Sequence, residues 1–238
     1  MQNLIIGNWK ENPITKKEAE ELFDAIKKGV KGLKSEVAVC PPYVFLPALA
    51  KSNGGIAIGA QNVFYEEKGA FTGEISPAML KDLSVEYVIV GHSERRKYFG
   101  ETNEIINKKI KRSLDAGLKV IFCVGETQEE HDSGKKEEIL KTQVQDGLKD
   151  IIDIDPINVA YEPVWAIGTG NNCSVEETKK SIDYIRQFVK PETRILYGGS
   201  VKSENSGAYI KEALANGLLV GGASLVADEF IEIVKSAE

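Results

Sequence analysis

The sequence predicts an α/β fold, a (β/α)8 barrel of one domain spanning residues 1–238. Three observations predict it. Eight short apolar runs recur along the chain, rich in Val, Ile and Leu. Amphipathic stretches of helical period separate them. No proline-rich linker, low-complexity segment or internal repeat divides the chain. Near-continuous hydrophobicity within each run is the mark of parallel strands covered on both faces. An open doubly wound sheet is the other arrangement of such a pattern, and it would favour G-x-G-x-x-G after an early strand. Here the first run leads into Gly-Asn-Trp-Lys instead.

The elements follow in order. The first strand is predicted over 3–7, and the helical pattern of 16–28 stops at Gly29. The second, 36–40, leads to a helix over 43–52, with Gly54 beyond. The third, 56–60, precedes a shorter helix over 76–83. The fourth, 87–91, precedes a helix over 103–116 that Gly117 ends. The fifth, 119–124, is followed by 135–148. The sixth, 157–161, is followed by 175–189, where Ser174 opens Ser-Val-Glu-Glu, a capping-box pattern. The seventh and eighth, 194–197 and 217–221, precede helices over 205–213 and 227–235.

Composition narrows the function. The chain has 238 residues, 42% hydrophobic and 28% charged, which is globular and long enough to bury a core without staples. Thirty basic against 36 acidic residues give a net charge of −6, so there is no basic footprint for nucleic acid. No apolar run has membrane-spanning length, and the N-terminus lacks the pattern of a signal peptide. The three cysteines, Cys40, Cys123 and Cys173, form no C-x-x-C. Neither a disulfide framework nor a zinc site is expected, and a reducing cytoplasm fits best. Cys40 and Cys123 read as small core residues.

Barrels of this type carry their active sites at the C-terminal ends of the strands. Strand one leads into Asn8, Trp9 and Lys10, strand four into His92, Ser93 and Glu94, and strand six into Glu162 and Pro163. Strands seven and eight lead into Gly198-Gly199-Ser200 and Gly221-Gly222. Two glycine-rich turns at those places favour a phosphate cradle over ordinary tight turns, because bare backbone approaches an anion closely. Lys10 reads as electrostatic support for a reacting centre, or else as a solvated lysine. His92 is one of two histidines and follows an apolar run, so it suits carbonyl polarisation or proton transfer, or a structural role. His131 lies in a polar stretch and is expected at the surface. Glu162 stands among Tyr161, Val164, Trp165 and Ile167, where partial desolvation makes a carboxylate a better base; a structural ion pair is its other reading. The segment Pro163-Val164-Trp165-Ala166-Ile167-Gly168-Thr169-Gly170, stiff at its start and flexible at its end, suits a lid. A carboxylate, an imidazole, an amine and a phosphate cradle suit proton abstraction beside a carbonyl in a small phosphorylated substrate.

Several segments resemble the triosephosphate isomerase family. They are Gly7-Asn8-Trp9-Lys10, Ala60-Gln61-Asn62, the run from Gly69 to Glu74, Gly91-His92-Ser93-Glu94-Arg95-Arg96, Cys123-Val124-Gly125-Glu126, the run from Ala160 to Gly170, Tyr197-Gly198-Gly199-Ser200-Val201 and the run from Leu219 to Leu225. They occur in family order from end to end. The resemblance implies an isomerase that interconverts dihydroxyacetone phosphate and glyceraldehyde 3-phosphate through an enediolate, without metal or cofactor. It implies Glu162 as general base, His92 as a neutral hydrogen-bond donor, Lys10 as charge stabiliser with Asn8 orienting the same end, and Glu94 as the supporting acid. Backbone amides of Gly168, Ser200, Gly221 and Gly222 would hold the phosphate. The lid would exclude water, with Ile167 and Leu225 clamping over Glu162. Thr72 would insert into a second copy, implying a homodimer, with further pairing into tetramers left open.

The sequence departs from the family in two places. Glu11 stands where an apolar residue, commonly methionine, is usual, and is expected near the subunit interface. The lid's far hinge reads Asn171-Asn172-Cys173 where lysine usually begins it, and Cys173 is expected to be an exposed thiol. Two other readings are an aldolase- or synthase-type phosphate-binding barrel and a non-catalytic phosphosugar-binding barrel. The first would want a buried lysine on a central strand. The second would be expected to have lost Glu162, His92 or the lid.

Overall fold

The computed structural model describes residues 1–167 and 172–238. Eight parallel strands close into a barrel in chain order: β1 (Leu4–Asn8), β2 (Glu36–Cys40), β3 (Ala57–Ala60), β4 (Tyr87–Val90), β5 (Lys119–Val124), β6 (Ile157–Tyr161), β7 (Ile195–Tyr197) and β8 (Gly217–Val220). Each predicted strand is present to within one residue at either end. The expected (β/α)8 barrel is therefore the observed fold.

The continuous hydrophobicity of the strands has a simple cause. Alternate side chains serve two different cores. Leu4, Ile6, Ala38, Cys40, Tyr87, Ile89, Ile121, Cys123 and Leu219 belong to one buried cluster, inside the barrel. Ile5, Val37, Val39, Val88, Val90, Val120 and Phe122 belong to the other, under the helices. Closure depends on Gly217, which starts β8 with φ +154°, where an added Cβ would lie 1.9 Å from the Leu4 carbonyl oxygen. Ile5 then pairs with Val37 on one side and Leu218 on the other.

The helices lie on the outside: α1 (Lys16–Gly29), α2 (Leu46–Leu49), α3 (Pro77–Asp82), α4 (Ser93–Phe99), α5 (Asn103–Asp115), α6 (Gln128–Asp132), α7 (Lys136–Gly147), α8 (Val175–Ile185), α9 (Ser203–Lys211) and α10 (Ala227–Ser236). Helix α1 starts in a capping box between Thr15 and Glu18 and buries Ala19, Phe23 and Ile26. Three expectations change. The helix read over 43–52 is only Leu46–Leu49 flanked by 3-10 turns at Tyr43–Phe45 and Ala50–Ser52. Pro47 in its first turn supplies no N–H to continue the ladder upstream. Helix α8 gives way to a 3-10 turn at Arg186–Phe188. Ser174 does cap α8 by accepting from the Glu177 N–H, but the Glu177 carboxylate turns to Lys136, so the box is half made. Helices α4 and α6 have no counterpart in the sequence pattern. Both are short and carry no buried apolar stripe, and each is set by its cap, His92 and Thr127 respectively.

No helix among the described residues is long and apolar enough to cross a membrane. Nor does any group of three or more His, Cys, Asp or Glu side chains stand ready for a metal ion among them.

Candidate active site

The strand ends named from the sequence meet at one mouth. A cavity of about 670 Å³ is lined there by Asn8, Lys10, His92, Glu162, Ile167, Ser200, Gly221 and Gly222, among others.

Lys10 is held by its backbone. Its N–H donates to Asn8 Oδ1 at 3.1 Å, and its carbonyl accepts from Gln61 Nε2 at 2.8 Å. The same Gln61 nitrogen donates to the Cys40 carbonyl at 2.8 Å, tying the turn to the end of β2. The backbone at Lys10 is left-handed, with φ 53°. Its ammonium pairs with Glu94 Oε1 at 2.5 Å. Both side chains keep contact with solvent, so the pair orients more than it stabilises.

His92 is the N-cap of α4. Its Nδ1 accepts the Glu94 backbone N–H at 3.2 Å. A ring whose Nδ1 accepts is neutral and carries its proton on Nε2. That Nε2 lies 3.0 Å from Glu162 Oε1.

Glu162 is 1% exposed. Its backbone N–H donates to the Val124 carbonyl at 2.8 Å, continuing the ladder past β6. Oε2 accepts the Ser93 N–H at 2.9 Å. Oε1 is off the line of a good hydrogen bond from His92 and is a buried acceptor without a partner among the described residues. The chain passes so close here that a Cβ on Gly125 would stand 1.7 Å from the Glu162 carbonyl oxygen. Only glycine fits between the ends of β5 and β6.

Within 163–167, read from the sequence as part of a lid, Pro163 is buried and Val164–Ala166 forms a 3-10 turn. Ala166 O accepts from Ser200 Oγ at 2.6 Å, and Trp165 Nε1 donates to Glu126 Oε1 at 2.9 Å. Ile167 reaches the cavity. Gly168, Thr169 and Gly170 lie outside the described residues, as does Asn171. Leu225 is half-buried against the outer core and is not among the residues that line the cavity. Thr72 is exposed on the segment after β3, and Glu11 is exposed after β1.

Two expectations are corrected. Cys173 is buried, not exposed, and burial pushes its thiol up to about 11. Its carbonyl accepts from Tyr209 on α9 at 2.7 Å, a contact between elements that the polar flanking sequence gives no hint of. His131 is only partly exposed, with its ring packed against Trp165 at a tilt of 34°, centroids 4.8 Å apart. Ser93, Gln61 and Glu126 hold the site yet had no role in the sequence reading. Ser93 acts through its backbone N–H, which any residue type supplies, and Gln61 through its side-chain amide to two backbone carbonyls. All three stand in segments that resemble the family, and that is their signal. Lys202, Glu204, Asn205 and Glu229 also line the outer cavity, so Lys10 is not its sole ammonium.

The comparisons with known proteins agree with this geometry. The family model for triosephosphate isomerase matches residues 3–237. The chain is 48% identical over 244 residues to the triosephosphate isomerase of Thermodesulfovibrio yellowstonii, covering 98% of this chain and 99% of that one. It is 47% identical over 243 residues to that of Caldanaerobacter subterraneus subsp. tengcongensis and 46% identical over 243 to that of Clostridium botulinum, each covering 97% of this chain and 98% of the other. Matches of that extent, on a barrel whose strand ends bring Lys10, His92 and Glu162 to one mouth, make this chain a member of the triosephosphate isomerase family.

Proposed function

We propose that the chain interconverts dihydroxyacetone phosphate and D-glyceraldehyde 3-phosphate, with Glu162 as the base that moves the proton. The single observation that carries this is the buried Glu162 carboxylate standing 3.0 Å from His92 Nε2 at a mouth shared with Lys10. The carboxylate takes a proton from the carbon beside the carbonyl. The electron pair of that C–H bond moves into the carbonyl, giving an enediolate. His92 donates a hydrogen bond from Nε2 to the oxygen where charge develops, and Lys10 offsets that charge. Glu162 then returns the proton to the neighbouring carbon, while the hydroxyl proton of the first oxygen passes by way of His92 Nε2 to the second, so the new carbonyl forms at the first carbon and the enzyme ends unchanged. Asn8 orients the reacting end, and Glu94 keeps Lys10 in place. Backbone amides at Ser200, Gly221 and Gly222, with Gly168, hold the phosphate at the glycine turns. Ile167 and Leu225 close over Glu162 when the lid of 163–170 shuts. No metal or cofactor is needed, because the charge that develops is met by fixed side chains.

The reading carries two further parts. The active form is a homodimer in which Thr72 of each chain supports the other's site. The setting is the cytoplasm, which fits three buried, unpaired cysteines.

The test is conversion of glyceraldehyde 3-phosphate to dihydroxyacetone phosphate with no metal added. Glu162→Gln is expected to lower kcat by roughly 10²–10⁴-fold with little change in melting temperature. Turnover near the parent rate in a folded Glu162→Gln protein would reject Glu162 as the base.

A further inference from the structure

Past the end of β4, β5 runs on with no strand on that side. The two strands pair from Tyr87 and Lys119 to Val90 and Phe122. Beyond that point successive carbonyls of the β5 chain face opposite ways. Those of Val124 and Glu126 turn towards the β6 chain and accept the Glu162 and Val164 N–H groups at 2.8 and 3.1 Å. Those of Cys123 and Gly125 turn to the side that β4 has left. Two side chains take the place of the missing strand. Arg96 Nη2 donates to the Cys123 carbonyl at 3.2 Å. Gln143 of α7 serves Gly125 twice: Oε1 accepts the Gly125 N–H at 2.8 Å, and Nε2 donates to the Gly125 carbonyl at 3.0 Å. Gln143 is itself firmly placed. Leu140, Val144 and Gly147 of the same helix are buried, and a Cβ on Gly147 would stand 2.3 Å from the Phe122 ring, so α7 lies directly on β5. Gly125 in turn touches the residue read as the base. A Cβ there would lie 1.7 Å from the Glu162 carbonyl oxygen and 3.2 Å from its Cα. On the other side, a Cβ on Gly198 would lie 3.0 Å from Glu162 Cγ. Glu162 is thus wedged between two bare backbones, and Gln143 holds one of them.

We infer that Gln143 is a positioning residue for the reaction: through Gly125 it fixes where the Glu162 carboxylate stands. The inference rests on the reading of Glu162 as the base. Gly125 is buried, so its N–H and carbonyl need partners from the protein. Without Gln143 both bonds are lost, and the end of β5 relaxes towards water to recover them. The Glu162 backbone leans on that end and moves with it. Oε1 and Oε2 then leave their places beside His92 Nε2 and the Ser93 N–H, 3.0 and 2.9 Å away. Proton abstraction is steep in such displacements, since an error of about 1 Å can cost about a hundredfold. Lys10 is held by Asn8, Gln61 and Glu94 instead, so the loss falls on proton transfer and not on substrate binding.

The experiment compares the whole chain with Gln143→Met, which keeps the shape and removes both hydrogen bonds. In the variant kcat should fall by about tenfold, with KM within about twofold of the parent. Added to Glu162→Gln, the same change should lower the residual rate by less than about twofold, because no carboxylate base is left to misplace. A second readout needs no turnover. The Ser93 N–H donates to Glu162 Oε2, so with ¹⁵N-serine labelling its amide signal reports where that carboxylate stands. The signal should shift in Gln143→Met, while that of Ser206, buried on α9, stays in place. An unchanged kcat, an equal loss in the Glu162→Gln background, or a Ser93 signal that does not move apart from Ser206 would each overturn the proposal. If Gln143→Met does not fold, Gln143→Glu decides by the same readouts. It keeps the bond from the Gly125 N–H and loses the one to its carbonyl, so kcat should fall by about threefold. Parent turnover in Glu162→Gln would sink the base assignment, while the Ser93 signal would still decide whether Gln143 holds this carboxylate.

Discussion

Lys10 combines a charge with an unfavourable backbone. At φ 53° a non-glycine residue sits in the left-handed region, which costs about 1–2 kcal/mol. The Asn8 side chain and Gln61 hold it there. That strain separates two variants that chemistry alone would treat alike. Lys10→Ala and Lys10→Gly both remove the ammonium, and each should lose roughly a hundredfold or more in kcat/KM. Lys10→Gly also relieves the backbone, so it should be the more stable of the two by about 1 kcal/mol in denaturant unfolding. Equal midpoints would mean that the turn imposes no strain. The sequence revealed Lys10, His92 and Glu162 because each follows an apolar run that is visibly a strand. The partners of Glu162 were not legible. Ser93 reaches it through a backbone N–H, and any residue type supplies one. Cys173 was misread for a related reason: Asn171 and Asn172 suggest solvent, but its cover comes from Tyr209, 36 positions away.

At the scale of elements, the N-terminal end of the barrel is tied across strands. Tyr87 of β4 donates its hydroxyl to Glu36 Oε1 of β2. Arg194, just before β7, donates to Glu36 Oε2 at 2.7 Å, and Lys119 of β5 lies 3.5 Å from Oε1. Burial by itself would raise the Glu36 carboxyl; the Tyr87 and Arg194 donors outweigh it and hold the group below its usual range. A depressed carboxylate stabilises the fold above its unfolded pKa and loses that contribution as pH falls through the folded value. Tyr87→Phe should therefore cost about 1 kcal/mol at pH 7, read as a lower melting temperature. The gap to the parent should close as pH drops below about 4. A gap that persists undiminished at pH 3 would show that the loss is one of packing. The strands that carry this tie were legible because two-sided burial makes them uniformly apolar. Their ends were fixed to within a residue by Gly, Pro and polar neighbours. Helices α4 and α6 are harder to see, since five to seven residues, mostly polar, show no helical stripe and their caps do the specifying. The region 43–52 differs in the opposite sense, reading as one helix although Pro47 breaks it into turns.

At the scale of the molecule, one side of the rim at the C-terminal ends of the strands is apolar. Ile14 is 90% exposed and Val44 77%, while Tyr98 and Phe99 are each 67% and Phe71 43%. They follow β1, β2, β4 and β3, four strands that are consecutive around the barrel, so the chain's topology gathers them on one side of the mouth. Thr72 is next to Phe71 and is also exposed. Exposed side chains of this size on one side cost solubility unless a second surface covers them. Glu11, exposed on the same rim, makes that surface less apolar and puts a charge where a partner would pack. The homodimer proposal thus has two opposing terms, five large apolar side chains against one charge. Light scattering at micromolar concentration should give twice the chain's 26.1 kDa. Specific activity should fall on dilution, because a separated chain loses what Thr72 of its partner holds in place. Thr72→Arg should shift the mass to that of one chain and lower kcat, with far-ultraviolet circular dichroism unchanged. Glu11→Met should do the reverse, extending full activity to lower protein concentration. A single-chain mass with full activity at every dilution would mean that each barrel completes its own site, and the exposed apolar rim would then need another explanation.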